Sequence, residues 1–193
     1  MSQRYYVVKG EKVALSILSK DDIPLFVTWL NDPEVTVYLS MRRIITPEGE
    51  EEWIERVRKD PNCRHFSIVA LPEEEVIGVT GLDRIDPYDG SATFGIFIGR
   101  KDYWGKGYGT EATILMLDYA FNCLNLHHVW LIIKDFNKRA IKCYKKVGFR
   151  EVGRLREAIL QPDGRHDIII MDLLAKEFNK AYKSKFKEIQ KSA

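Results

Sequence analysis

The run Trp104-Gly105-Lys106-Gly107-Tyr108-Gly109-Thr110 holds the residue types and spacing that most directly suggest chemistry in this chain. Three glycines at alternate positions remove the Cβ atoms that would hold backbone N–H groups away from an anion. A helix starting there adds the positive end of its dipole. The pattern suits a diphosphate, although a permissive turn without a ligand needs the same residues. Two nucleotide-binding alternatives fail on spacing: no G-x-x-x-x-G-K-[ST] string occurs, and the glycines read G-x-G-x-G rather than G-x-G-x-x-G. Arg100 to Trp104 also separate the run from the preceding strand, and the repeated crossovers of a dinucleotide-binding half are missing.

The elements that must position this loop follow from periodicity. Val13, Leu15 and Ile17 alternate as in a half-buried strand. Asp21-Asp22-Ile23-Pro24 opens a helix carrying Leu25, Phe26, Trp29 and Leu30, which stops at Asn31-Asp32-Pro33. Thr46 caps a second helix with Pro47 at its first position and the acidic run Glu48 to Glu52 at its positive end. Phe66 to Ala70 and Val76 to Leu82 form a hairpin around Pro72 to Glu75, and Ser91 to Ile98 is the next strand. The glycine loop then leads into an apolar helix from Glu111 to about Leu124. His127 to Ile133 returns as a strand, giving a strand–helix–strand crossover. Asn137 caps a helix closed by Gly148, and Phe149 to Gly153 and Asp167 to Leu174 complete the sheet. The fold class is mixed α/β or α+β, not a doubly wound parallel sheet.

The chain has 193 residues and is 45% hydrophobic, which fits one core and one domain over 1–175. Residues 176–193 form a basic extension in which Phe178, Tyr182, Phe186 and Ile189 share one helical face, suited to docking on its own domain or on a second subunit. With 30 Lys and Arg against 28 Asp and Glu, the net charge of +2 implies no polyanion-binding surface, so nucleic acid is not expected as a partner. No apolar run reaches the roughly 20 residues of a membrane span, and no leader is evident, so a cytoplasmic location away from membranes is expected. Cys63, Cys123 and Cys143 lack any C-x-x-C spacing and read as reduced thiols. His127 and His128 point to opposite faces of a strand, while His65 and His166 are lone, so no metal site is expected.

Trp104 to Gly109 resembles the Q/R-x-x-G-x-G/A motif of the GNAT superfamily of N-acetyltransferases, with Trp104 where Gln or Arg is usual. Asn137-Lys-Arg-Ala140-Ile-Lys-Cys-Tyr144-Lys-Lys-Val-Gly148-Phe149 is similar to that family's N-x-x-A-x-x-x-Y-x-K-x-G-F. Trp29-Leu-Asn31-Asp-Pro33-Glu-Val35 and Leu155-Arg-Glu157-Ala-Ile159 resemble the branch of ribosomal-protein N-terminal and spermidine acetyltransferases. The resemblance spans roughly Gly10 to Leu174. It implies a strongly bent mixed sheet whose two central parallel strands splay around acetyl-CoA.

The resemblance also implies roles. Backbone groups of Ile96, Phe97 and Ile98 would line the pantetheine arm and polarise the thioester. Trp104, Gly105, Lys106, Gly107, Tyr108, Gly109 and Thr110 would hold the pyrophosphate, and Asn137 and Ala140 would contact the cofactor. Tyr144 would protonate the departing thiolate as general acid. Many relatives carry a catalytic Glu on the central strand where this chain has Thr93, which leaves Asp83, Glu157 and Asp167 as candidate bases. The basic Met41-Arg42-Arg43 favours a protein or peptide N-terminal amine as acceptor, with a polyamine or other small amine as alternative. A non-catalytic acetyl-CoA sensor is the reading from another class; the oligomeric state is open, a homodimer through the apolar stripe of the tail being one option.

Overall fold

A computed structural model describes residues 3–39 and 43–187. The chain gathers into two compact units, Met1–Asp83 with Gly95–Met116, and Arg84–Phe94 with Leu117–Ala193.

The first unit carries strands β1 (Tyr6–Lys9), β2 (Val13–Ile17), β3 (Arg64–Ala70) and most of β4 (Glu75–Asp86), followed in the sheet by the second half of β5 (Ser91–Ile98). Adjacent strands from β1 to β4 are antiparallel. Helices α1 (Ile23–Leu30), α2 (Pro33–Thr36) and α3 (Pro47–Lys59) lie between β2 and β3 in sequence. The caps expected from the sequence are present: Thr46 accepts from Gly49 N–H, and Asp32 accepts from Glu34 N–H. Leu18, Phe26, Trp29, Leu30, Ile54, Val57, Val69 and Val79 form one buried cluster. Each is taken out of water by the pairing of one helix face with one sheet face, which is the main stabilising term here. β1 leaves no signal in the sequence, because four residues are too few for a period to register.

The second unit orders its strands as the start of β5, then β6 (His128–Lys134), β8 (Gly164–Leu174) and β7 (Arg150–Gln161). The parallel ladder between β5 and β6 pairs Ser91–Thr93 with His128–Trp130, three residues from strands of eight and seven. β6 and β7 each run antiparallel to β8. Helix α5 (Lys138–Val147) is capped by Asn137, whose side chain accepts from Ala140 N–H, and closes at Gly148 with φ 118°. β7 is longer than the Phe149 to Gly153 expected from the sequence, since its later residues are exposed and carry no alternating pattern.

Two helices differ from expectation. The helix starting at the glycine loop, α4 (Tyr108–Asp118), passes into a π turn over Tyr119–Cys123, and Asn125 at φ 57° takes the chain out. The C-terminal helix α6 (Ala175–Ala181) stops at Tyr182, whose backbone is extended, before a further helical turn at 185–187. Its anchor is Phe178, fully buried against Phe121 with ring centroids 5.4 Å apart. Phe186 meets Tyr119 at 5.6 Å, while Ile189 lies outside the described residues. Among the described residues no helix is long and apolar enough to cross a membrane.

Candidate active site

The glycine loop lies within the first unit. A short 3-10 turn, Lys101–Tyr103, follows β5, and residues 104–107 turn into α4 at Tyr108. Gly105 has φ 73° and Gly107 φ 91°, both left-handed and strained for any side chain. A Cβ on Gly105 would meet no atom within 4 Å, and one on Gly107 only the Lys12 ammonium at 3.6 Å. The backbone of both glycines is thus open to a ligand, as the loop's proposed diphosphate requires. The N–H groups of a helix's first turn have no acceptor within the helix, so the start of α4 favours an anion. Trp104, at the position where the motif usually has Gln or Arg, donates its indole N–H to the Ile98 carbonyl at 2.8 Å and packs edge-on to Tyr38. Its side chain fastens the loop to the end of β5, while the glycines present the backbone.

Two residues given no role at the loop in the sequence reading hold it. Glu111, in the first turn of α4, accepts backbone N–H bonds from Glu11, Lys12 and Val13 at 2.6, 2.7 and 3.2 Å. Lys12 donates its ammonium to the Lys106 carbonyl at 3.1 Å, which sets a positive charge beside Gly107. Gly10 makes the approach possible, since a Cβ there would lie 2.4 Å from the Glu111 carboxylate. A sequence signal existed in principle, Glu in the first turn of a helix, but it points equally to a dipole partner.

The second half of β5 presents Ile96, Phe97 and Ile98, each half-buried. Thr80 donates its hydroxyl to the Gly95 carbonyl, and Gly99 N–H donates to the Ile77 carbonyl. Phe97 also packs edge-on to Trp29, so the strand is held from the helical side.

In the second unit Tyr144 is buried on α5 between the rings of Phe94 and Phe149, with centroids 6.1 and 5.7 Å away. Burial drives its pKa well above the usual tyrosine value, with a smaller contribution from Cys143. A phenol held in its neutral form at physiological pH can give a proton away. Thr93, at the end of the parallel ladder, has a buried hydroxyl oxygen without a hydrogen-bond partner.

The candidate bases are each committed to other partners or exposed. Asp167 accepts from Glu157 N–H at 2.8 Å and pairs with Arg154 at 3.1 Å, and these bonds lower its pKa. Glu157 is exposed at φ 52° in β7. The Asp83 pKa is lowered by its hydrogen bond to His65. Such depressed carboxylates are poor proton acceptors near neutrality. Of the basic run read in the sequence, Arg43 is exposed, while Met41 and Arg42 lie outside the described residues.

Residues 12–150 match the family model described as "Acetyltransferase (GNAT) domain". The chain belongs to the GNAT acetyltransferase family. Over 171 residues it is 28% identical to an uncharacterized N-acetyltransferase, p20, of Bacillus licheniformis, covering 87% of this chain and 96% of that protein. The spermidine N(1)-acetyltransferase of Escherichia coli is 40% identical over 96 residues, half of each chain. Among solved structures, a spermidine N-acetyltransferase from Vibrio cholerae in complex with CoA and spermine aligns with a TM-score of 0.81 and 25% identity over 88% of this chain and 99% of that one. The mixed α/β architecture is therefore the GNAT fold, and the chain is an acetyl-CoA-dependent N-acetyltransferase acting on an amine.

Proposed function

We propose that this GNAT enzyme acetylates a small polyamine of the spermidine class, the alternative acceptor in the sequence reading, rather than a protein N-terminal amine. The E. coli and V. cholerae relatives whose names specify a substrate are spermidine acetyltransferases, and this observation carries the reading. It displaces the argument from Met41-Arg42-Arg43.

A local feature supports it. Glu50 in the first turn of α3 is buried, and burial raises its pKa, with the charge of Arg43 acting in the opposite direction. A carboxylate desolvated in this way gains most from a cationic partner, because each charge offsets the other's lost hydration. On this proposal Glu50 is the carboxylate that would meet one polyamine ammonium.

In the reaction the amine nitrogen attacks the thioester carbonyl, the carbon–sulfur bond breaks, and the amine's proton leaves to solvent. Acetyl-CoA supplies the activated acyl group. The loop from Gly105 to Thr110, with Lys12, binds its diphosphate, while Asn137 and Ala140 contact its pantetheine arm. Backbone N–H groups over Ile96, Phe97 and Ile98 stabilise the oxyanion. Tyr144 gives its proton to the departing thiolate and regains one from solvent, so that the protons balance over a turnover.

The test is thiol release from acetyl-CoA with spermidine, spermine, peptides starting with Ala or Ser, and aminoglycosides. A specificity constant for spermidine of at least about 10⁴ M⁻¹s⁻¹, within the ordinary enzyme range, supports the proposal. Faster turnover of the peptides would reinstate the N-terminal reading.

A further inference from the structure

Cys63, His65 and Asp83 are brought together at one end of β3 and β4. The antiparallel register sets Arg64 opposite Leu82 and His65 opposite Gly81, so Cys63 and Asp83 face each other one step beyond. His65 Nε2 lies 2.9 Å from Asp83 Oδ1, and the Cys63 thiol lies 3.4 Å from the same oxygen. All three potential ligand atoms lie within 4.8 Å of one another. Asp60, which ends α3, adds a carboxylate oxygen 3.5 Å from the thiol. Sequence reading takes His65 as lone; Asp83 stands 18 residues away on the next strand, and the register brings the two together.

The imidazole is firmly oriented. A Cβ on Gly81 would sit 2.4 Å from its Nδ1, so only glycine lets the ring lie over β4. Trp53 packs edge-on against the ring from α3, with centroids 5.2 Å apart. The thiol faces the Asp60 and Asp83 carboxylates, whose charge a bound cation would neutralise.

We propose that Cys63, His65 and Asp83 form a binding site for one divalent cation of zinc type, with the fourth position left to solvent. One thiolate, one imidazole and one carboxylate oxygen are the donor set such a cation takes, at about 2.3 Å for sulfur and about 2.0–2.2 Å for nitrogen and oxygen. Tetrahedral bonds of those lengths set ligand atoms roughly 3.3–3.7 Å apart, so the 2.9 and 3.4 Å separations here need shifts of only a few tenths of an ångström. Binding forms a metal–sulfur bond and releases the Cys63 proton to solvent, while His65 keeps its ring proton on Nδ1. The cation enters past Asp83, whose side chain is 49% exposed, or through an adjoining cleft of about 280 Å³ that includes Ile17, Val57, Arg58 and Pro61. It would staple the β3–β4 pair.

The experiment titrates the full chain, stripped with a chelator, with Co²⁺ and then Zn²⁺. Expected are one equivalent of Co²⁺ with a thiolate-to-cobalt charge-transfer absorption, displacement by Zn²⁺, about one proton released per ion, and a higher Tm. Cys63→Ser should remove the absorption and weaken binding at least about tenfold, and His65→Gln should weaken it similarly. If Cys63→Ser does not fold, the Cys123→Ser/Cys143→Ser double variant leaves Cys63 as the remaining thiol, and persistence of the band there supports the site. Absence of the band in the wild type or the double variant, or its survival in folded Cys63→Ser, overturns it.

Discussion

The carboxylate of Glu111 accepts the backbone N–H of Lys12 at 2.7 Å, joining residues 99 apart in sequence. Because Glu11 and Val13 donate to the same carboxylate, the first turn of α4 is fixed to the β1–β2 turn, and the glycine loop between β5 and α4 is fixed with it. Hydrogen bonds to a charged group contribute about 1.5–3 kcal/mol each in net terms. Half-exposed Glu111 falls at the lower end for the set as a whole. Glu111→Ala should lower Tm by several degrees and raise the KM for acetyl-CoA several-fold, with a smaller effect on kcat. Thermal unfolding together with initial-rate kinetics checks this; an unchanged KM would mean that the loop keeps its shape without the tether.

Gly105 and Gly107 give a second test, because their left-handed backbone is visible in the free protein. Alanine in that region costs about 1–2 kcal/mol, and its methyl group projects into the space a diphosphate needs. Gly105→Ala should therefore weaken CoA binding by roughly tenfold, measured by calorimetry, beyond what the stability loss explains. Nothing in the protein crowds a Cβ at Gly105. If CoA affinity is retained while stability falls, the glycine serves the turn and not the ligand.

Local chemistry made much of this legible in the sequence. The Asn137 cap, the left-handed Gly148 and the Thr46-Pro47 helix start depend on residues within a few positions of each other, and all are present. What escaped depends on register across the sheet or on distant backbone. Glu111 reads as a first-turn acid, yet its partners are three N–H groups near the other end of the sequence. His65 reads as solitary until β3 and β4 are paired. The bend of α4 into a π turn breaks a continuous apolar pattern that gives no sign of it. Asp167, a candidate base by residue type, is committed to Arg154 and the Glu157 backbone, which only the β7–β8 hairpin reveals.

Tyr144 makes a prediction about pH. Burial raises its pKa above the usual value near 10, so the neutral phenol persists into more alkaline solution. Consequently kcat should not fall as pH rises through the ordinary tyrosine range, and Tyr144→Phe should lose roughly 10²-fold or more in kcat with little change in CoA affinity. The stability linkage has the same sign. A group whose pKa is raised on folding contributes fully below its unfolded pKa, and that contribution is lost as pH climbs toward the folded value. Alkaline unfolding of the wild type should thus begin above about pH 10 and be blunted in Tyr144→Phe. A kcat retained in the phenylalanine variant would remove Tyr144 as the acid.

Glu50 separates binding from stability in one variant. Its raised pKa means that folding penalises the ionised carboxylate, so stability is greatest below the unfolded pKa and declines as pH rises through the folded one. Glu50→Gln removes that penalty and should leave the protein as stable as the wild type at neutral pH, or more so. The same change deletes the charge assigned to the polyamine, so the KM for spermidine should rise about tenfold, the equivalent of about 1.4 kcal/mol, while the KM for acetyl-CoA holds. In the wild type, spermidine should bind more tightly as pH rises through the Glu50 titration, and the variant should lose that dependence. A stable Glu50→Gln with unaltered spermidine kinetics would assign the buried carboxylate to the fold and require the polyamine's charges to be met elsewhere.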